Sequence, residues 1–246
     1  MRENPLPDWV HHRNRERVKS LRIKAYLAQI ALGATLIYWM VEGAWLLAYK
    51  GGLNIPAEVF DIVISAESLY TVLLLATAIL FVIWSYGAHS NLKLFDRRGI
   101  RHADQAAIWW WLVPFASFYV PFRVVHETAR GSVAQNDELH WNDLDSPSIA
   151  RWWTGLLLTG LISSQIGGLM IEAADRVAGV NTAINVLLVG SLLMVAAAAT
   201  AIGLIQLVTI GQVGLANELW PDESRFPLTS APPASHGSSQ PPSPTG

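Results

Sequence analysis

Four long apolar stretches separated by charged loops decide what this chain can fold into. Residues 25–49, 62–84, 152–171 and 183–210 each approach or exceed the roughly 20 apolar residues that carry a helix across a hydrocarbon core about 30 Å thick. Lipid offers the backbone no hydrogen-bond partners, so such stretches cross as helices. With 52% hydrophobic residues, 15% charged residues and 11 Trp, the chain is too apolar for an ordinary soluble domain of its length. The expected fold is all-α: an integral membrane bundle of four transmembrane helices over residues 25–210, behind a basic segment over 1–24. The Pro-, Ser- and Gly-rich remainder, 211–246, cannot bury enough apolar area to offset ordering entropy and reads as a disordered tail.

The distribution of Lys and Arg orients the spans. Arg2, Arg13, Arg15, Arg17, Lys19, Arg22 and Lys24 precede the first stretch, whereas only Lys50 separates it from the second, so the N-terminus is expected in the cytoplasm. The first run is too long for a secretory h-region and lacks a clear cleavage site, which makes it an uncleaved helix. Lys93, Arg97, Arg98 and Arg101 follow the second span and mark an inner loop. Both termini are then cytoplasmic, with anionic lipid at that face as partner and no nucleic acid.

Residues 106–125, AAIWWWLVPFASFYVPFRVV, either cross as a fifth span or turn back. Crossing would put Arg123, Arg130 and Arg151 outside, against the positive-inside bias, and Pro114 and Pro121 each remove a backbone donor from a short segment. A re-entrant or interfacial segment over about 106–130 is therefore expected. Trp109, Trp110 and Trp111 would anchor it at the inner boundary, where indole rings bury and their N–H groups stay wet. Its tip is either a wedge completing the bundle or a contact site for lipid or solute. From Pro121 onward, Phe122, Val125 and Ala129 fall on one side and Arg123, Glu127 and Arg130 on the other, as in an amphipathic helix lying on the leaflet. A polar loop with Asp137, Glu138, Asp143 and Asp145 follows.

In the third stretch, Gly155, Thr159, Ser163 and Gly167 form one row of small residues, and Gly160, Ser164 and Gly168 a second. Such rows let helices approach closely, either against the last helix as an antiparallel pair or across a homodimer face. Glu42 and Glu67 lie roughly 7 to 11 Å below the outer boundary at 1.5 Å per residue. Ionisable groups at that depth mark a candidate polar site, which Tyr70 and Gln165 or Asn185 would complete; the alternative is structural glue or contact with interfacial water. No catalytic constellation fits. The spans hold neither an aspartate pair nor a histidine, His126-Glu127 does not continue as a zincin motif, and the absence of cysteine closes thiol chemistry. His89, His102, His126 and His140 have no recognised metal-ligand spacing, so no cofactor or metal is expected. The chain reads as a non-enzymatic membrane scaffold or interaction protein, or alternatively as a transporter of a small solute or ion.

WSYGAHSNL over residues 84–92 and WWWLVPFASFYVPFRVVHETARGS over 109–132 resemble the hallmark of a bacterial multi-pass membrane family, domain of unknown function 4328. Trp84, Asn91, Leu92, Trp109, Trp110, Pro114, Pro121, Val124, Val125, Glu127 and Ser132 occupy the places of its pattern. Gly87 stands where that pattern has a basic residue, and Ser117 where it has Asn. The resemblance implies a bacterial plasma-membrane location and no established activity.

Overall fold

The computed structural model describes residues 8–53, 57–113, 116–134, 141–174 and 177–221; the side chains of 57–67, Pro114, the loop over 135–140 and the tail beyond 221 lie outside that description. Among the described residues six α-helices follow in order: α1 (Asp8–Lys50), α2 (Ala57–Asn91), α3 (Ala106–Trp109), α4 (Val120–Val133), α5 (Ser148–Glu172) and α6 (Val177–Leu219). There is no strand among the described residues. Four of the helices are long and apolar enough to cross a membrane: α1, α2, α5 and α6. Their outer surface fits that reading, since Ile30, Met40, Leu75, Ile162, Leu192 and Ile210 are all exposed, an apolar belt that water would not tolerate.

The helices alternate in direction. Thr35 meets Thr77 and Tyr38 stacks on Tyr70, so α1 and α2 are antiparallel. Arg15 reaches Trp220 while Lys50 reaches Asn185, so α1 also runs against α6. α6 is the hub, flanked by α1 on one side and α5 on the other. α2 ends and α5 begins at the same end of the bundle, where the described residues between 92 and 147 form a cap. The Pro-broken segment therefore turns back instead of crossing. α3, a 3₁₀ turn over Ala116–Phe118 and α4 stand in place of one straight span, and Pro121 sits at the start of α4, where its missing N–H costs nothing.

The first and last helices run past the expected boundaries. α1 begins at Asp8, so the basic segment is helical and continuous with the first span; 43 residues make a rod about 65 Å long. It stops at Gly51-Gly52, where Gly52 takes φ +71° and Leu53 N–H donates to the Ala48 carbonyl at 3.2 Å. α6 continues through residues 211–219, which the composition of the chain's end had assigned to the tail. Val208, Leu215, Ala216 and Trp220 are buried there, an apolar spacing of seven and eight residues that keeps one face on the bundle.

The small-residue rows merge into one face. Gly160 packs against Met194, Ser164 against Gly190 and Gly167 against Leu187, giving an antiparallel α5–α6 seam. Gly155 and Gly168, one from each row, face open space instead. A helix turns 100° per residue, so the contact stripe follows spacings of four and three and takes members of both rows.

Candidate functional site

The cap is fastened to the bundle by a buried polar node. Gln212 of α6 is 0% exposed. Its Nε2 donates to the Ala88 carbonyl at 2.7 Å and to Ser132 Oγ at 3.0 Å, while its Oε1 accepts from Asn91 Nδ2 at 3.0 Å. Ser132 Oγ in turn donates to the Thr128 carbonyl at 2.7 Å. One side chain thus joins α2, α4 and α6 with all its polar atoms satisfied, the condition under which a buried network stabilises. One turn earlier, Trp84 Nε1 donates to Thr209 Oγ1 at 3.3 Å.

A second node fixes the loop over 96–105. Glu127 is 1% exposed and accepts from the Arg101 backbone N–H at 2.6 Å and from His102 Nδ1 at 2.7 Å. His89, fully buried on α2, lies 3.0 Å from Thr128 Oγ1 through Nδ1, and its Nε2 lies 3.1 Å from the His102 carbonyl oxygen. Arg97 is also buried; it donates from Nε to the Gly131 carbonyl at 3.1 Å and from a terminal nitrogen to the Ala134 carbonyl at 2.6 Å. These carbonyls are the unpaired C-terminal acceptors of α4, where a cation is favoured.

Beside these nodes the cap opens a cationic cleft. One chamber of about 280 Å³ is lined by Arg101, His102, Tyr119, Arg123, Glu127 and Arg130. A neighbouring chamber of about 370 Å³ shares Tyr119, Arg123 and Arg130 and adds the apolar Phe118, Phe122 and Leu158. The Arg123 guanidinium lies over the Tyr119 ring, 4.9 Å from its centre.

The model of the family called Domain of unknown function (DUF4328) matches residues 57–209, more than half of the chain. The chain belongs to that family. No match is found among curated proteins or among solved structures. Within the DUF4328 part, the structure gives the motif a physical meaning: Asn91 and Ser132 meet in the first node, Glu127 anchors the second, and Trp84 ties α2 to α6. Gln212 and all of α1 lie outside the matched residues. A side chain starting at Gly87, where a basic residue was expected, would begin 3.3 Å from Lys24 Nζ of α1, so a neighbouring helix already carries a cation to that place.

The DUF4328 tryptophans divide. Trp109 and Trp110 are exposed, as an interfacial anchor requires, but Trp111 turns inward. It packs edge-on against Phe81 at 6.2 Å and against Phe122 at 6.0 Å, and Trp153 completes the wall. On the bundle side of this wall lies an apolar cavity of about 160 Å³, bounded by all four long helices and Trp111. α4 does not lie as a free amphipathic helix on a leaflet: Phe122, Val124, Val125 and Ala129 are buried, and Glu127, expected on its polar face, is buried with them.

At the opposite end of the bundle lie the described members of the expected carboxylate cluster, Glu42 and Tyr70. Glu42 accepts from Ser191 Oγ at 3.5 Å. Tyr70 stacks on Tyr38 at 3.9 Å and meets Trp39 edge-on. Asn185 binds Lys50 instead of completing the site, Gln165 is exposed, and the Glu67 side chain lies outside the described residues. Among the described residues no group of His, Asp and Glu is placed to hold a metal. His89 and His102 meet, as sequence spacing alone did not require, whereas His126 turns to Ser146 and Thr154, at 2.7 Å and 3.0 Å.

Burial holds the His126 pKa below its ordinary value, and the charges of Arg130, Arg123 and Arg151 push the same way. Because the folded state disfavours the imidazolium, the stability tied to His126 is complete above about pH 6.5 and is lost as the pH falls through the depressed folded value. Replacing His126 by Gln should flatten the decline of melting temperature on acidification, and the difference between the two proteins isolates this residue from His89 and His102. Parallel curves would remove the assignment.

Proposed function

We propose that this DUF4328 protein is a non-enzymatic membrane scaffold of the bacterial plasma membrane, whose cap end faces the cytoplasm and engages anionic lipid. The observation that carries this reading is the gathering of positive charge at one end of the bundle. Arg13, Arg15, Arg17, Lys19, Arg22 and Lys24 on the first half of α1 stand at the same end as Arg98, Arg101, Arg123 and Arg130 of the cap. Near the surface of an anionic leaflet each such cation contributes about 1 kcal/mol. Exposed Trp109, Leu112, Phe118 and Tyr119 supply the apolar and aromatic contacts of an interface.

Two measurements test it. A cysteine placed at the exposed Asp143, in this otherwise cysteine-free chain, should react with an impermeant maleimide only in permeabilised cells, whereas one at Leu53 should react in intact cells. Lipid co-purified with the protein should be enriched in anionic species, and neutralising Arg17, Lys19 and Arg22 together should reduce that enrichment. Inverse labelling or equal partition of lipids sinks the proposal. A proton- or cation-dependent flux in liposomes that Glu42→Gln abolishes would replace it with the transport reading, which the inward-facing contact of Glu42 with Ser191 supports.

A further inference from the structure

We infer that the cap cleft is a built site for one phosphate-bearing anion, with Arg101, Arg123 and Arg130 as its ligands and a lipid headgroup as the occupant that best fits its shape. This deepens the proposed engagement of anionic lipid and rests on it.

Three arginines line one chamber, and none of them makes an ion pair among the described residues. The one carboxylate in its wall, Glu127, is already committed, one oxygen to the Arg101 N–H and the other to His102. That carboxylate offsets one of the three guanidinium charges, and among the described residues the cleft keeps a surplus of positive charge. Arg130 adds an independent observation. One of its terminal nitrogens donates to the Asn142 carbonyl at 2.8 Å and the Leu144 carbonyl at 3.4 Å, which fixes the guanidinium, yet its Nε is buried with no hydrogen-bond partner among the described residues. A buried donor on a fixed cation is costly unless an acceptor reaches it. Arg123 is held flat by the Tyr119 ring, which leaves the edge of its fork free for the paired hydrogen bonds that suit phosphate oxygens.

The second chamber selects the kind of phosphate. It continues from Arg123 and Arg130 to Phe118, Phe122 and Leu158, beside His126, Ser146 and Thr154, whose polar atoms bond one another, and Leu158 lies two to three turns into α5, inside the stretch expected to cross the membrane. Charge at one end and apolar wall at the other match a phosphate followed by a glycerol and the beginning of an acyl chain. A free phosphate would fill only the first chamber.

The test uses the full-length protein, delipidated in a neutral detergent and titrated with short-chain phosphatidylglycerol, with inorganic phosphate as the second arm. One equivalent of lipid should bind saturably, and the double variant Arg101→Gln/Arg123→Gln should weaken it about tenfold or more, as loss of charge-assisted contacts predicts. Lys93→Gln, at an exposed cation outside the cleft that pairs with Asp104, is the control for folding and general charge, and should bind as the parent does. Competition by phosphate at higher concentration supports a phosphate site occupied by lipid. Saturable binding of phosphate that is tighter than that of lipid overturns the assignment to a headgroup. No saturable binding, or equal binding by the double variant, overturns the site. If anionic lipid is still enriched around the parent protein in that case, the reading of the cap end as a lipid-engaging face survives the loss of this inference; if enrichment is absent too, both fall.

Discussion

Alanine at Gly211 will loosen the cap from the bundle. A Cβ built on Gly211 meets the backbone carbonyl oxygen of Ser132 closer than real Cβ atoms come, and the obstructing atom is main chain, which cannot swing aside as a side chain does. The helices cannot separate cheaply either, because the next residue, Gln212, is bound to both Ala88 and Ser132. Overpacking of this kind costs about 1–3 kcal/mol, and each stretched hydrogen bond adds about 1 kcal/mol. The expected result is a lower melting temperature in detergent, with faster tryptic cleavage at Arg97, Arg98 and Arg101. Alanine at Gly155 and Gly214, which have open space around them, should leave both unchanged. A Gly211→Ala protein that melts with those controls would show that α4 and α6 adjust freely.

Glu127→Gln should release the loop over 96–105. The carboxylate accepts from both the Arg101 N–H and a protonated His102 Nδ1, whereas an amide offers them only one oxygen; its NH₂ then either opposes the imidazole N–H or forces His102 into the tautomer with Nδ1 unprotonated. Hydrogen bonds to a charged group are each worth about 1.5–3 kcal/mol, and Glu127 has no water to fall back on at 1% exposure. Amide exchange should accelerate across residues 96–105 while α5 and α6 keep their protection. Unchanged exchange in that peptide would mean the loop is held by its other contacts, among them Arg97, His89 on the His102 carbonyl, and Trp141 Nε1, which donates to the Arg98 carbonyl at 2.9 Å.

Apolar length and charge bias made the frame legible in the sequence, because a span is a local property that no partner can revoke. The two prolines likewise foretold a segment that turns back. The site was less legible, and the reasons are physical. Gln212 sits among residues whose polar neighbours resembled the tail, and only the continuing apolar spacing of Val208, Leu215 and Ala216 betrayed a helix with a buried face. Arg97 looks in sequence like its solvated neighbour Arg98, since burial depends on where the end of α4 arrives. Glu127 was visible as part of a motif, but its donors, Arg101 and His102, come from a loop whose path helical periodicity does not govern. Trp111 differs from Trp109 and Trp110 only in the direction its backbone turn gives it.

The position of α6 at the centre of the bundle sets the order in which this protein can be assembled. Helices enter a membrane in the order of synthesis, and α6 follows α1, α2, the cap and α5. Until it arrives, Asn91 and Ser132 lack the side chain that joins them, and α1 and α5 have no common surface to pack on. α1 and α2 can pair beforehand through Thr35–Thr77 and Tyr38–Tyr70, but α5 must wait for its main partner, and the Gln212 node of the cap can close only when residues 211 and 212 have been made. Biogenesis then becomes a late closure around the last helix, and a chain cut short before Gln212 would keep the contacts of the cap with α2 and α5 but lack the side chain that joins it to α6.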